Sequence, residues 1–433
     1  MFPFFYLAGV FLLIFPTVRL PGINISPSDL FLLSAAALLG LEHILRRKDW
    51  RFAPHILWIP AILAFVGGTL ATMNAARPAT SLLITIKIFF VLGIWISMTL
   101  EMVRRGYLLL ILCTVVSAGV FTAFVGIVDY WMGWSLDKLV TGTNYFFWNR
   151  IAGTLGHPNA LGFYLTVALP IAFAMLLNEW QTKSRIVVQG ALLVSCVVMG
   201  LALFYSGSVS SWIGGTLSLG TLGFAYLWRA SQRTRLIFVV LVSILGVIGI
   251  ALLTQEAIRT QVAFLINFNL GRAVTITGPD RFRLLDQAFS DLNANPFLGS
   301  GLDQAGTGGL DADELLTSAS IHSTVISSWQ NGGFLTFIGI LMAYAVAVIC
   351  AAYALKYGIL YKNWIVVGLA VVTFSWTLTD QTQSQLTLRY TWLTLGLLFG
   401  LGFGIRWISA LKVPPLQSYI AQVRQHSEDI RGR

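Results

Sequence analysis

The sequence predicts an all-α protein that lives in a bilayer. Three observations predict it: an apolar composition, repeated apolar runs of spanning length, and basic residues confined to alternate loops. The chain has 433 residues, 56% of them hydrophobic and 11% charged. Soluble domains carry about 25% charged residues. A chain this apolar needs lipid as its solvent, and in lipid every backbone polar group must be satisfied internally, which leaves helices or closed barrels. The runs are continuous rather than alternating, so helices are expected.

The runs fall at 2–16, 30–45, 56–71, 81–100, 107–132, 160–177, 186–205, 212–228, 236–253, 324–355, 364–379 and 391–407, which makes about twelve crossings in a single membrane domain, 1–433. The first run lacks a basic start and a small-residue cleavage site, so it is expected to be retained as a helix.

Lysine and arginine set the orientation. Arg46, Arg47, Lys48 and Arg51 follow the second run. Later clusters are Arg104 and Arg105, Lys183 and Arg185, Arg229, Arg233 and Arg235, and Lys356 and Lys362. The tail, 410–433, adds Lys412, Arg424, Arg431 and Arg433. All fall on one side, which the positive-inside bias makes cytoplasmic. The net charge of +10 is therefore topology, with anionic lipid as a partner, and does not indicate nucleic acid. Cys113, Cys196 and Cys350 lie inside apolar runs with no Cys/His cluster, so neither a disulfide nor a metal site is expected.

The opposite face carries Arg19, Arg77, Arg150, Arg259, Arg272, Arg281, Arg283 and Arg389, but only one lysine, Lys138. Arginine is the bidentate partner for phosphate and carboxylate, and its presence on the translocated side runs against the topological bias. Each could instead pair with a nearby carboxylate; as a set they point to an anion.

One outer loop, 254–320, is long, polar and glycine-rich, the kind that is functional or disordered. Phe282, Leu285, Phe289 and Leu292 recur at helical spacing after Pro279, which predicts a short amphipathic helix over 279–293. Arg281 and Arg283 then sit in its first turn, where a bound anion offsets their opposition to the helix dipole. Asn295-Pro296-Phe297-Leu298-Gly299-Ser300-Gly301 follows as a turn-rich segment. His322 ends the loop. His157 and Asn159 read as a cap for the sixth helix, Lys87 as an intramembrane cation that could serve function, and Gly214, Gly215 and Gly220 as helix-packing glycines.

Three segments resemble the bacterial O-antigen ligase and polymerase superfamily. They are Arg150-Ile151-Ala152-Gly153-Thr154-Leu155-Gly156-His157-Pro158-Asn159; Arg281 through Gly301; and His322-Ser323 followed after nine residues by Gly333-Phe334-Leu335-Thr336. The resemblance implies a GT-C-like membrane fold and an enzyme of the extracytoplasmic face. Its donor is a glycan on undecaprenyl diphosphate, and its acceptor is lipid A–core (ligase) or a second lipid-linked glycan (polymerase). Two residues depart from the family pattern. Val209 stands where many members have arginine, and Leu285 where many have tryptophan.

A polyprenyl diphosphate donor is already activated, so no nucleotide, cofactor or metal is needed. The tasks are to hold the diphosphate, present a hydroxyl and remove its proton. His322 is the candidate base. Arg281, Arg283, Arg150, Arg272 and Arg389 are the candidate diphosphate ligands, with one of the last three replacing the arginine lost at Val209. A lipid-linked glycan flippase or transporter is the alternative from another class; it would use Lys87 and the outer arginines as a path, but needs no long outer loop bearing arginine and histidine.

Overall fold

The computed structural model describes residues 1–15, 18–20, 23–45, 56–132, 150–182, 186–232, 295–302, 323–380 and 389–403, with a few isolated positions besides. The chain opens with helix α1 (Phe2–Phe11), closed by a 3-10 turn over Leu12–Ile14, so the first helical run ends short of the expected residue 16. A small antiparallel hairpin follows, β1 (Val18–Leu20) with β2 (Ile23–Ile25), registering Arg19 against Asn24. It is the one departure from an all-α fold among the described residues. In the sequence the two strands carry the β-branched residues Val18, Ile23 and Ile25.

The helices continue as α2 (Pro27–Leu45), α3 (Trp58–Ala71), α4 (Pro78–Arg104), α5 (Leu108–Met132), α6 (Pro158–Thr182), α7 (Ile186–Tyr205) and α8 (Val209–Arg229). The last three are α9 (Thr324–Tyr361), α10 (Trp364–Thr379) and α11 (Arg389–Gly400). Among the described residues, six helices are long and apolar enough to cross a membrane: α2, α4, α5, α6, α7 and α9. The protein is a multi-pass membrane protein. The ninth expected span, beyond Leu236, the amphipathic helix expected over 279–293 and the tail lie outside the described residues, apart from isolated positions.

Helix α6 is the hub. In its most apolar window 89% of residues are buried inside the protein, against 22% in α2 and in α7. Pro170 sits inside α6 without ending it. Small residues bring the helices close. A Cβ on Gly214 of α8 would lie 2.8 Å from the Thr379 methyl of α10, and one on Gly215 would meet Leu203 of α7 at 2.7 Å. Gly220, expected to do the same, faces open space.

Chain alternation sorts the turns between two ends of the bundle. At one end Arg105 bridges Glu101, at 2.8 Å, and Glu42, at 3.1 Å, and lies over the Phe2 ring. The Trp364 indole donates to the Gln181 side chain at the same end. The other end gathers all three motif segments as far as they are described.

Candidate functional site

The first motif is a buried turn stapled to two loops. The Arg150 guanidinium donates through Nε to the Ser206 carbonyl, at 2.6 Å, and through a terminal nitrogen to the Asn159 side-chain oxygen, at 2.7 Å. Its neighbour Ile151 donates its N–H to the Tyr205 carbonyl. Gly153, at φ +58°, lets the chain press onto α5, where a Cβ would lie 2.5 Å from the Thr122 carbonyl oxygen. The Thr154 hydroxyl donates to the carbonyl of Ile14 at 2.8 Å. Pro158 then opens α6, and the His157 ring accepts the Asn159 N–H through Nδ1 at 3.1 Å. The expected cap formed by His157 and Asn159 is therefore present.

The second and third motifs dock on one another. Helix α9 breaks at Gly333, whose φ of 76° and ψ of 180° lie outside any helix. Such a break orphans backbone groups on both sides, and buried orphans need partners. Segment 297–301 supplies them. The Phe334 N–H donates to the Phe297 carbonyl, the Ser300 N–H to the Gln330 carbonyl and the Gly301 N–H to the Asn331 carbonyl, at 3.0, 3.0 and 2.9 Å. The Gly332 carbonyl is taken by the Thr336 hydroxyl, at 2.6 Å. Glycine is required on both sides, since a Cβ on Gly299 would lie 2.5 Å from the Gly333 nitrogen.

Side chains complete the clamp. The buried Asn331 amide donates to Ser327, and its oxygen receives the Ser300 hydroxyl. The Trp329 indole donates to the Pro296 carbonyl at 2.9 Å. From the α3–α4 side, Asn74 donates to the Gly299 carbonyl, and Ser81 accepts the Leu302 N–H.

Helix α9 starts beside this clamp. Ser323 caps it, its hydroxyl accepting from the Ile326 N–H, and the Thr324 hydroxyl donates to the Asp380 carbonyl at the end of α10. Through α10 this connects to the first motif: the Ser375 hydroxyl donates to the Gly214 carbonyl of α8, and α8 begins just after Ser208, in the turn held by Arg150. Helix α8 starts at Val209, three residues earlier than expected, so the position lacking arginine is a first helical residue.

Among the candidate ligands, Arg150 and Arg389 are described, and both are engaged by protein groups. Arg389 opens α11 and forms an ion pair with Asp29 of α2. It also donates to Ser28 Oγ at 2.9 Å. His322, Arg281, Arg283 and Arg272 lie outside the described residues. Ser323 nevertheless fixes the chain next to His322. No group of metal-holding side chains occurs among the described residues.

Sequence reasoning overlooked several polar residues of this end: Asn331, Asp29 and the buried Asp380. Only Asp29 carried a local signal. Ser26-Pro27-Ser28-Asp29 is a capping-box pattern ahead of an apolar run, and the Ser26 N–H donates to the Asp29 carboxylate at 2.8 Å.

No curated protein matches the chain. A family model described as O-Antigen ligase matches residues 194–341, from within α7 to eight residues beyond the kink in α9. It covers the second and third motifs and the long loop between them, leaving the first motif outside. The clamp thus joins the two motifs that the family model contains, and over residues 194–341 the chain is similar to the O-antigen ligase family.

Proposed function

We propose that the protein is a metal-independent, inverting glycosyltransferase that moves a glycan from undecaprenyl diphosphate to an acceptor hydroxyl on the extracytoplasmic face of the inner membrane. The fold in this reading has about twelve crossings and is GT-C-like. Both termini are cytoplasmic, and 254–320 is the extracytoplasmic loop.

The observation that carries the reading is the clamp between 297–301 and 330–334. It holds the chain that follows the Arg281 segment rigidly against the helix that begins just after His322. Arginine and histidine are the two residue types the reaction needs, and a rigid scaffold between them favours transition-state positioning.

In the reaction, Arg281, with Arg283, Arg272 or Arg150 nearby, holds the diphosphate. His322 takes the proton of the acceptor hydroxyl, and the acceptor oxygen bonds to sugar C1 as the bond from C1 to the diphosphate oxygen breaks. Polyprenyl diphosphate leaves, and C1 inverts. Arginine charge at the developing anion supplies electrostatic stabilisation.

The family match favours ligase or polymerase chemistry over a flippase. Between those two, the long histidine signature favours transfer to lipid A–core, with repeat-unit polymerisation as the second reading. The test is purified protein with a lipid-linked oligosaccharide and an acceptor, without ATP or an ion gradient. Release of free polyprenyl diphosphate supports the enzyme. Product on core acceptor identifies a ligase, and a ladder of repeats on the carrier identifies a polymerase. No release under any acceptor overturns the reading.

A further inference from the structure

We infer that Asp29 is a positioning residue that holds Arg389 as a preorganised cation for the anionic diphosphate of the lipid-linked donor, an inference that rests on the function proposed above. The Asp29–Arg389 pair joins α2 to α11. The pair is largely buried. Buried ionisable pairs are costly, and in a membrane protein they mark functional sites more often than they stabilise.

The arrangement serves the arginine. Asp29 needs no cation to be satisfied, because it stands in the first turn of α2, favoured by the helix dipole, and accepts the Ser26 N–H. Arg389 is the opposite case: a largely buried cation that takes its partners from another helix. Everything around it fixes it in place. Ser28 Oγ accepts from one guanidinium nitrogen and is itself bonded to Ser26 Oγ at 2.7 Å. The Arg389 carbonyl accepts the Trp95 indole N–H at 3.1 Å. Trp95 ends a π-helical turn in α4, over Phe90–Trp95, a feature frequent at functional sites. Tyr6 stacks on Trp95, with ring centroids 5.1 Å apart, and bonds Thr99 one turn further on. Both ends of Arg389 are thus held.

The pair is not sealed. Each side chain keeps 13% of its surface open, and a guanidinium has five N–H donors for a carboxylate, a hydroxyl and a third group. A latch serving packing alone gains nothing from this, since apolar residues of equal volume do as well or better in such a place. A fixed, partly open cation suits a phosphate oxygen.

A charge swap separates the two roles. Asp29→Arg with Arg389→Asp keeps an ion pair but moves the cation to α2. We expect the swapped protein to recover most of the thermal stability lost in either single variant, while its KM for the lipid-linked donor stays at least tenfold above wild type and its KM for the acceptor is unchanged. Recovery of donor KM to within threefold of wild type overturns the inference and leaves a structural latch. Should the swap fail to fold, Arg389→Lys decides: it keeps the charge and the pair but loses the fork. A raised donor KM with a melting temperature near wild type supports the inference, and an unchanged donor KM overturns it. Wild-type protein that releases no polyprenyl diphosphate refutes the proposed function instead, so the two failures are distinct.

Discussion

The Phe334 N–H reaches across from α9 to the carbonyl of Phe297 at 3.0 Å, in place of the helical partner it loses at Gly333. That bond makes two segments on opposite sides of a long loop into one rigid body. It also gives the glycine in the His322-Ser323…Gly333 pattern a physical reason: the break presents unpaired backbone that only an extended segment can satisfy.

Gly333→Ala should therefore be costly. The backbone conformation is one that residues with a Cβ avoid, at about 1–3 kcal/mol. The added carbon would also press on the Leu298 backbone at 2.7 Å. We expect a lower melting temperature in detergent and a large loss of transfer. A melting temperature equal to wild type would show that the clamp contributes nothing.

Arg281→Ala should insert normally and lose transfer. Loss of one preorganised donor to a developing anion typically costs about 10²–10³ in rate. Arg281→Lys should recover only part, because the planar fork is lost. Near-normal turnover in the alanine variant would remove Arg281 from the site.

His322→Ala should still bind lipid-linked donor but transfer at less than about a tenth of the wild-type rate, as loss of a general base typically removes 10²–10⁴. Only neutral imidazole accepts a proton, so activity should fall as pH drops through the histidine's titration and level off above it. NMR of the product should show inversion at C1; retention would rule out a single displacement.

Arg150→Ala should act on stability before chemistry. It leaves the Ser206 carbonyl and the Asn159 side chain without their charged donor, a loss of about 1.5–3 kcal/mol. We expect a reduced melting temperature, with residual transfer by the folded fraction. Unchanged stability with transfer abolished would move Arg150 from scaffold to donor site.

Topology offers a check independent of activity. A cysteine placed at Thr307 should react with a membrane-impermeant reagent from outside, and one at Arg233 only after the inner membrane is breached. The reverse pattern would sink the functional reading as a whole.

Much of this was legible in the sequence, because bilayers impose strong one-dimensional constraints. Apolar runs such as 186–205 coincide with α7, and 364–379 with α10, since burying helical backbone in lipid needs length and apolarity alone. The polar end was legible as a set of motifs, and the His157 cap as a local pattern. What stayed hidden depends on contacts between distant residues. The break at Gly333 needs Phe297, and the cradle of Arg389 needs Asp29; neither partner is marked by spacing. The π turn ending at Trp95 and the hairpin before α2 leave apolar composition unchanged, so hydropathy passes over them.

The clamp has a bearing on how such a protein can diversify. Leu302 is tied to Ser81, and Ser323 is tied to the start of α9, so residues 303–322 leave from and return to two fixed anchors. Closing a chain between fixed points grows only logarithmically with its length, about 0.6 kcal/mol for each doubling. On this scaling, added sequence between the two anchors is expected to cost the clamp little, and on the function proposed above this stretch is where acceptor preference would be rewritten.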